Sequence, residues 1–239
     1  MLDVDGLVWT GGSWHEVIAA MFFAFDGIDG AGKSTQIERL VGYLRSRDRS
    51  VVVCRDPGGT ALGEQVRKLL LDHSDMEIGV RAETLLYMAS RAQLVSEVIE
   101  PALRRGDTVI SDRFISANVA YQGFGGGMEA DRIVSIGQWA TAGIMPDLLF
   151  VLDLDAPAAA ARLLREKDRI ESRGLEYFER VRDGFLRLPD LWPGRVVVID
   201  ARLSADEVHD RVLQAIAELP GTSDVSPTAP SNRGAGEQR

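Results

Sequence analysis

Short runs of apolar residues recur along the chain: FFAF (22–25), SVVVC (50–54), DTVIS (107–111), DLLFVLDL (147–154) and RVVVID (195–200). They are nearly continuous in Val, Ile, Leu and Phe rather than alternating, which is the pattern of strands covered on both faces. Longer stretches with helical spacing lie between them, at 33–47, 60–72, 80–105, 129–142, 156–167, 172–188 and 204–218. The last opens on Ser204 with Glu207 three residues on, a capping-box pattern. Within 82–99, Leu85, Leu86, Ala89 and Leu94 fall near one stripe and are expected to face the core. The alternation of strand and helix implies a parallel sheet with helices on both faces in one α/β domain.

Composition narrows this only slightly. The 239 residues are 45% hydrophobic and 26% charged, as in ordinary globular chains. A formal net charge of −9 argues against a broad basic surface, so no nucleic-acid partner is expected. A local basic cleft for a small phosphorylated ligand stays open. No apolar run approaches a membrane span. Residues 1–20 carry Asp3, Asp5 and Glu16 without a basic start, unlike a secretory signal. They are expected to be an appendage arising from a start codon set upstream of Met21. The stretch 220–239, rich in Pro, Gly and Ser, reads as a disordered tail, which leaves 21–219 as the domain. Cys54 is the only cysteine, so no intrachain disulfide can form, and a reducing, cytoplasmic setting is expected. At a strand end it reads as a buried filler rather than a reactive thiol.

The chemistry starts at GIDGAGKS (27–34), which fits G-x-x-x-x-G-K-[ST]. An apolar strand precedes it and an amphipathic helix follows, as a phosphate-binding loop requires. Backbone N–H groups across Gly27, Ile28, Asp29, Gly30, Ala31 and Gly32, continued by Ser34 and Thr35, would converge on the phosphates of a nucleoside triphosphate. Lys33 would reach the terminal phosphates, and the Ser34 hydroxyl is placed for Mg²⁺. Together with the alternation, the motif implies a three-layer P-loop NTPase fold. An anionic Asp29 inside an anion-binding loop needs a reason. VISDRF (109–114) ends a strand on Asp112, an acid suited to the Mg²⁺, and continues into Arg113, whose fork suits phosphate oxygens. The run 160–173 holds Arg162, Arg165, Lys167, Arg169 and Arg173, interleaved with Glu166, Asp168 and Glu171. It reads either as a solvated face or as a lid laying arginines over a transferring phosphoryl group.

FDGIDGAGKSTQ, CRDPGGTALGEQVRKLLLD, ETLLYMASRAQLVSEVIEPAL, SDRFISANVAYQG, PDLLFVLDLD and DRIESRGLEYFERVRDGFL occur in that order. Together they resemble the thymidylate kinase family from about residue 21 to 219. The resemblance implies a five-stranded parallel sheet with a mobile lid, Mg²⁺–ATP as donor, dTMP as acceptor, and a homodimer. It implies that Asp29 turns toward the acceptor and takes a hydrogen bond from its 3′-hydroxyl. Tyr87 would stack on thymine, Arg91 would donate to a base carbonyl and Asn118 would read the edge near N3, with Gln122 also at the acceptor. Arg67 and Arg113 would grip the dTMP phosphate, and Tyr121 would crowd the place of a 2′-hydroxyl. Members with Gly at the position of Gly30 supply a catalytic arginine from the lid, which implies Arg165 and Arg169 here.

The chain departs from the family pattern at Asp26 and Asp56, where Glu is frequent, and at Ala117, where Ser is frequent. The lid segment before DRIE is also a few residues short. Two alternatives to dTMP phosphorylation therefore stand at this point: a P-loop kinase of another (deoxy)nucleotide, and a nucleotide-binding protein with impaired transfer.

Overall fold

The computed structural model describes residues 20–72, 76–162 and 168–219. The expectations for 1–19 and 220–239, and for Arg165, lie outside the described residues. The sheet has five parallel strands in the order β2-β3-β1-β4-β5: β1 (Phe22–Asp26), β2 (Val51–Arg55), β3 (Thr108–Asp112), β4 (Leu148–Asp153) and β5 (Val196–Asp200). β1 is central and buried at every position. Phe25 stacks on Phe150 of β4 with ring centroids 4.9 Å apart, and Phe22 meets Phe114 edge-on at 5.0 Å.

The edge strands correct the expectation of burial on both faces. Val53 of β2 is 47% exposed and Val198 of β5 is 39% exposed. An edge strand has a neighbour on one side only, and its flanking helices do not cover its outer face. Cys54 is buried as expected, and burial pushes its thiol pKa up to about 12, as for an inert filler.

The helices are α1 (Lys33–Arg45), α2 (Ala61–Leu71), α3 (Val80–Leu94), α4 (Glu100–Arg104), α5 (Ile115–Asn118), α6 (Ala130–Ala140), α7 (Ala156–Arg162), α8 (Leu175–Leu186), α9 (Leu188–Leu191) and α10 (Ala205–Ala217). Wide π turns at Val95–Ile99 and Val119–Gly125 continue α3 and α5. The capping box is formed: Ser204 Oγ accepts from the Glu207 N–H, and the Glu207 carboxylate accepts from the Ser204 N–H. The expected core stripe of α3 is wrong at two positions. Leu85 is 57% exposed and Ala89 is also exposed, whereas Glu83, Thr84, Met88, Arg91 and Leu94 are buried. The helix turns its polar face inward because that face builds the site. The helical turns at 115–125 were not anticipated, because SANVAYQGFGG carries no clear helical period.

Candidate active site

The loop between β1 and α1 lies at the carboxyl end of the central strand, where ligands of open α/β sheets bind. Gly30 has φ +87°, and a Cβ there would sit 2.5 Å from the Ala159 carbonyl oxygen. No side chain, arginine included, fits that place without moving backbone. Lys33 is 6% exposed. Its Nζ donates to the carbonyls of Gly27 and Ile28, both at 3.2 Å, and stands 3.4 Å from Asp29 Oδ1. Burial and the nearby Arg113 charge lower the Lys33 pKa.

Arg113 is what Asp29 faces. Arg113 Nη2 donates to Asp29 Oδ1 at 2.9 Å and Nη1 donates to the Gly27 carbonyl at 3.1 Å. Burial opposes ionisation of Asp29, but Arg113 and Lys33 outweigh it and hold its pKa well below the usual carboxylate range. The acid in the anion-binding loop is thus neutralised by two cations and ties the donor loop to β3. Arg113 adopts φ +73°, a left-handed conformation that costs a bulky residue about 1–3 kcal/mol. Ser111 Oγ donates to its carbonyl at 2.7 Å, and its N–H donates to the Phe25 carbonyl at 2.9 Å. Asp26, fully buried, accepts from Ser116 Oγ and lies 3.5 Å from Arg113 Nη1. Burial pushes its pKa up to about 6, against the pull of Arg113.

Next to this cluster is a cavity that brings together Asp29, Arg67, Tyr87, Arg91, Asp112, Arg113, Asn118, Tyr121 and Gln122. Nine of the residues expected from sequence therefore share one space, with Asp56, Ala117, Asp168 and Ile170 also in its wall. Tyr87 and Arg91 lie one turn apart on α3, so both project to the same face. Arg91 is spanned by fixed partners: Nε donates to Asp56 Oδ2 at 2.5 Å and Nη2 to the Phe114 carbonyl at 3.1 Å. Arg67 Nη1 donates to the Pro57 carbonyl at 3.0 Å. The Tyr121 ring is wedged among Tyr177, Phe178 and Phe185, and Tyr177 Oη donates to its carbonyl at 2.9 Å. That packing makes Tyr121 a rigid wall.

A second cleft is lined by Gly30, Ala31, Gly32 and Thr35 of the loop, together with Arg162, Ala201 and Leu203. Arg162 Nη2 donates to the Ala201 carbonyl at 3.1 Å. Ser34 is exposed at the start of α1, while Ile28 is buried beneath the loop. One carboxylate oxygen of Asp112, Oδ1, is buried with no hydrogen-bond partner among the described residues.

Of the cations in the charge run, Arg162, Arg169 and Arg173 lie among the described residues. Arg169 Nη2 and Arg173 Nη2 both donate to Glu83 Oε2 at 2.5 Å, and Arg169 Nε donates to the Leu70 carbonyl at 2.7 Å. Arg169, expected near the phosphoryl group, is thus held on α2 and α3 and is not in the cavity wall. Glu83 was missed by sequence reasoning. The available signal was its place four residues before Tyr87, on the same helix face.

Residues 25–212 match the family model described as Thymidylate kinase. The thymidylate kinase of Exiguobacterium sp. is 46% identical over 203 residues, covering 84% of this chain and 96% of that one. That of Bifidobacterium longum (strain DJO10A) is 44% identical over 205 residues, covering 84% and 100%. The crystal structure of thymidylate kinase from Ehrlichia chaffeensis superposes with a TM-score of 0.66 at 33% identity, covering 82% of this chain and 98% of that one.

Proposed function

The chain belongs to the thymidylate kinase family, and on that premise we propose that it transfers the γ-phosphoryl group of ATP to dTMP, giving ADP and dTDP. The observation that carries this reading is the single cavity in which Asp29 and Arg113 of the phosphate machinery meet Tyr87, Arg91 and Asn118. The catalytic unit is residues 21–219. ATP takes the cleft above Gly30 to Thr35, with the loop N–H groups on its phosphates. dTMP takes the cavity, its phosphate on Arg67 and Arg113 and its base between Tyr87, Arg91 and Asn118.

The nucleophile is a phosphate oxygen that is already anionic, so no strong general base is needed. What the chain supplies is alignment and positive charge. Lys33 moves from the loop carbonyls onto the β- and γ-phosphates. Arg113 bridges Asp29 and the acceptor phosphate, fixing the attacking oxygen. Tyr121 closes the space a 2′-hydroxyl would need. Arg165 lies outside the described residues; Arg169 would have to leave Glu83 and the Leu70 carbonyl to reach the phosphates.

The residues fit a Mg²⁺ ion. Asp112 offers a buried carboxylate oxygen with no hydrogen-bond partner among the described residues, and Ser34 is exposed at the start of α1. Among the described residues no group of three His, Cys, Asp or Glu could hold a metal; Mg²⁺ in such sites takes one or two protein ligands, substrate phosphates and water. Asp112 and Ser34 would hold it, and when bound it neutralises charge on the transferring phosphate.

A homodimer is supported by apolar side chains left open on helices that pack on one another: Leu62 and Leu69 on α2, Leu85 on α3 and Trp139, 84% exposed, on α6. A cytoplasmic location fits the single, buried Cys54. Among the described residues no helix is long and apolar enough to cross a membrane.

A coupled ADP-release assay with Mg²⁺–ATP tests the function. dTMP, dUMP, UMP, dCMP, a deoxynucleoside and no acceptor are compared. Turnover favouring dTMP is expected. Preference for another acceptor would leave the phosphate machinery and discard the base pocket; ATP binding without transfer to any acceptor would overturn the kinase reading.

A further inference from the structure

Three buried polar side chains are linked in a chain that ends in the wall of the acceptor cavity: Glu83, Gln122 and Asn118, respectively 0%, 1% and 1% exposed. Gln122 Nε2 donates to Glu83 Oε1 at 2.8 Å. Asn118 Nδ2 donates to Gln122 Oε1 at 2.7 Å. Asn118 Oδ1 is left buried with no hydrogen-bond partner among the described residues, and Asn118 and Gln122 both line the cavity.

The direction of this chain is dictated from one end. A carboxylate between two guanidinium groups has no hydrogen to give, so it only accepts. Gln122 must therefore turn its NH₂ to Glu83 and its oxygen to Asn118. Asn118 must in turn give its NH₂ to Gln122, which leaves its own oxygen as the unsatisfied group. An amide on its own would be free to flip, since its two ends are nearly the same size. Here the carboxylate removes that freedom across two residues. A buried, unpaired carbonyl is costly until a donor meets it. A base with N3–H supplies one; a base whose N3 is an acceptor sets lone pair against lone pair.

We propose that Glu83 is a positioning residue for base specificity: through Gln122 it holds the Asn118 carbonyl as an acceptor in the cavity, selecting pyrimidines that carry a hydrogen on N3. The inference deepens the dTMP reading and rests on it. Glu83 touches no substrate. It also anchors Arg169 and Arg173 through its other oxygen, so the test must separate the two roles.

The test compares dTMP with 5-methyl-2′-deoxycytidine monophosphate, which share sugar, phosphate and methyl group and differ only at N3 and C4. kcat/KM is measured for both with the wild type and with Glu83→Gln, Gln122→Met and Arg173→Met, each checked for folding by thermal melting. In Glu83→Gln the new amide oxygen faces the arginines and its NH₂ faces Gln122, so both downstream amides reverse and Asn118 presents a donor. The dTMP preference is expected to fall by at least about tenfold, the scale of one hydrogen bond, mostly through a higher KM for dTMP. Gln122→Met cuts the chain and is expected to lower the same ratio. Arg173→Met leaves the carboxylate in place and is expected to leave the ratio unchanged whatever it does to kcat. Equal losses on both substrates in Glu83→Gln, with the ratio unmoved, would overturn the proposal and leave Glu83 as an anchor only. If Glu83→Gln does not fold, an unmoved ratio in Gln122→Met overturns it. If the wild type shows no preference for dTMP, the base pocket itself is misread and the proposal falls with it. A preference that no variant disturbs removes the proposal alone.

Discussion

Asp56 and Arg91 form an ion pair that water does not reach: Nε and Oδ2 are 2.5 Å apart, with side chains 0% and 1% exposed. The pair fixes a guanidinium in the wall of the cavity that Asp29, Tyr87 and Asn118 also line. It also explains how Asp can serve where Glu is frequent in the family, since the shorter side chain still makes contact. The two partners are not equivalent. Burial raises the Asp56 pKa despite Arg91, so Asp56 can take up a proton if left alone, whereas a guanidinium cannot lose one. Asp56→Ala is therefore expected to cost about 3–5 kcal/mol in urea unfolding, the scale of a stranded buried charge. Arg91→Met is expected to cost less in stability, yet to lower kcat/KM for dTMP far more than it alters the KM for ATP. Equal damage to both substrates would place Arg91 away from the base.

Lys33 is buried and capped by two loop carbonyls and Asp29. Lys33 is not a member of the hydrophobic core, and in Lys33→Ala Arg113 remains to balance Asp29. Turnover is expected to fall by about 10²-fold or more, the scale of one lost transition-state partner, with the melting temperature nearly unchanged. A near-normal rate would exclude Lys33 from the chemistry.

Burial carries the Asp26 pKa from its usual 3.8 up to about 6. Below about pH 4 both folded and unfolded chains hold the proton. Between about pH 4 and 6 the folded chain alone holds it, so stability from this group falls as pH rises and then stays constant above about 6. Asp26→Asn has no such titration. Its stability relative to wild type is expected to rise by about 1–3 kcal/mol from pH 4 to 6 and to level off above that. Chemical denaturation at half-unit pH intervals checks both the direction and the window.

Gly30 has φ +87°, and a Cβ there would press on the Ala159 carbonyl. Gly30→Ala is expected to cost about 1–3 kcal/mol and to weaken ATP binding, because relief requires moving the phosphate loop or α7. Gly30→Arg is expected to lose activity rather than supply a working arginine. Titration calorimetry with ATP and the coupled assay report the two effects separately.

The legible parts of this molecule were those whose signal is local. The strand–loop–helix unit around Gly27 to Ser34 is contiguous, and β1 and β4 are apolar because both their faces are covered. Asp112 and Arg113 were legible from the strand end they occupy. The edge strands were read as buried because valine runs look alike whether one face or two are covered. Glu83 was not legible, since its partners Arg169 and Arg173 lie 86 and 90 residues away in sequence. The acids interleaved with those arginines favoured a solvated face. The α3 stripe was misplaced for a related reason: the inward face carries Glu83, Thr84 and Arg91 because it builds the cavity, so Leu85 and Ala89 fall on the outside.

That outside face gives the last prediction. Leu85 is 57% exposed and Trp139 84% exposed, on α3 and α6, which pack side by side. A monomer that leaves such side chains in water forgoes about 1.5–3 kcal/mol for each that could be buried. A single charge placed in the same patch would have to be desolvated for two copies to meet. Leu85→Glu and Trp139→Glu are each expected to shift the chain from dimer to monomer in sedimentation velocity without disturbing the fold. Because Glu83, Tyr87 and Arg91 project from the opposite side of α3, the monomer should keep its dTMP preference, and any loss of activity should appear in kcat. A wild type that sediments as a monomer at micromolar concentration would remove the homodimer from the proposal while leaving the active site as described.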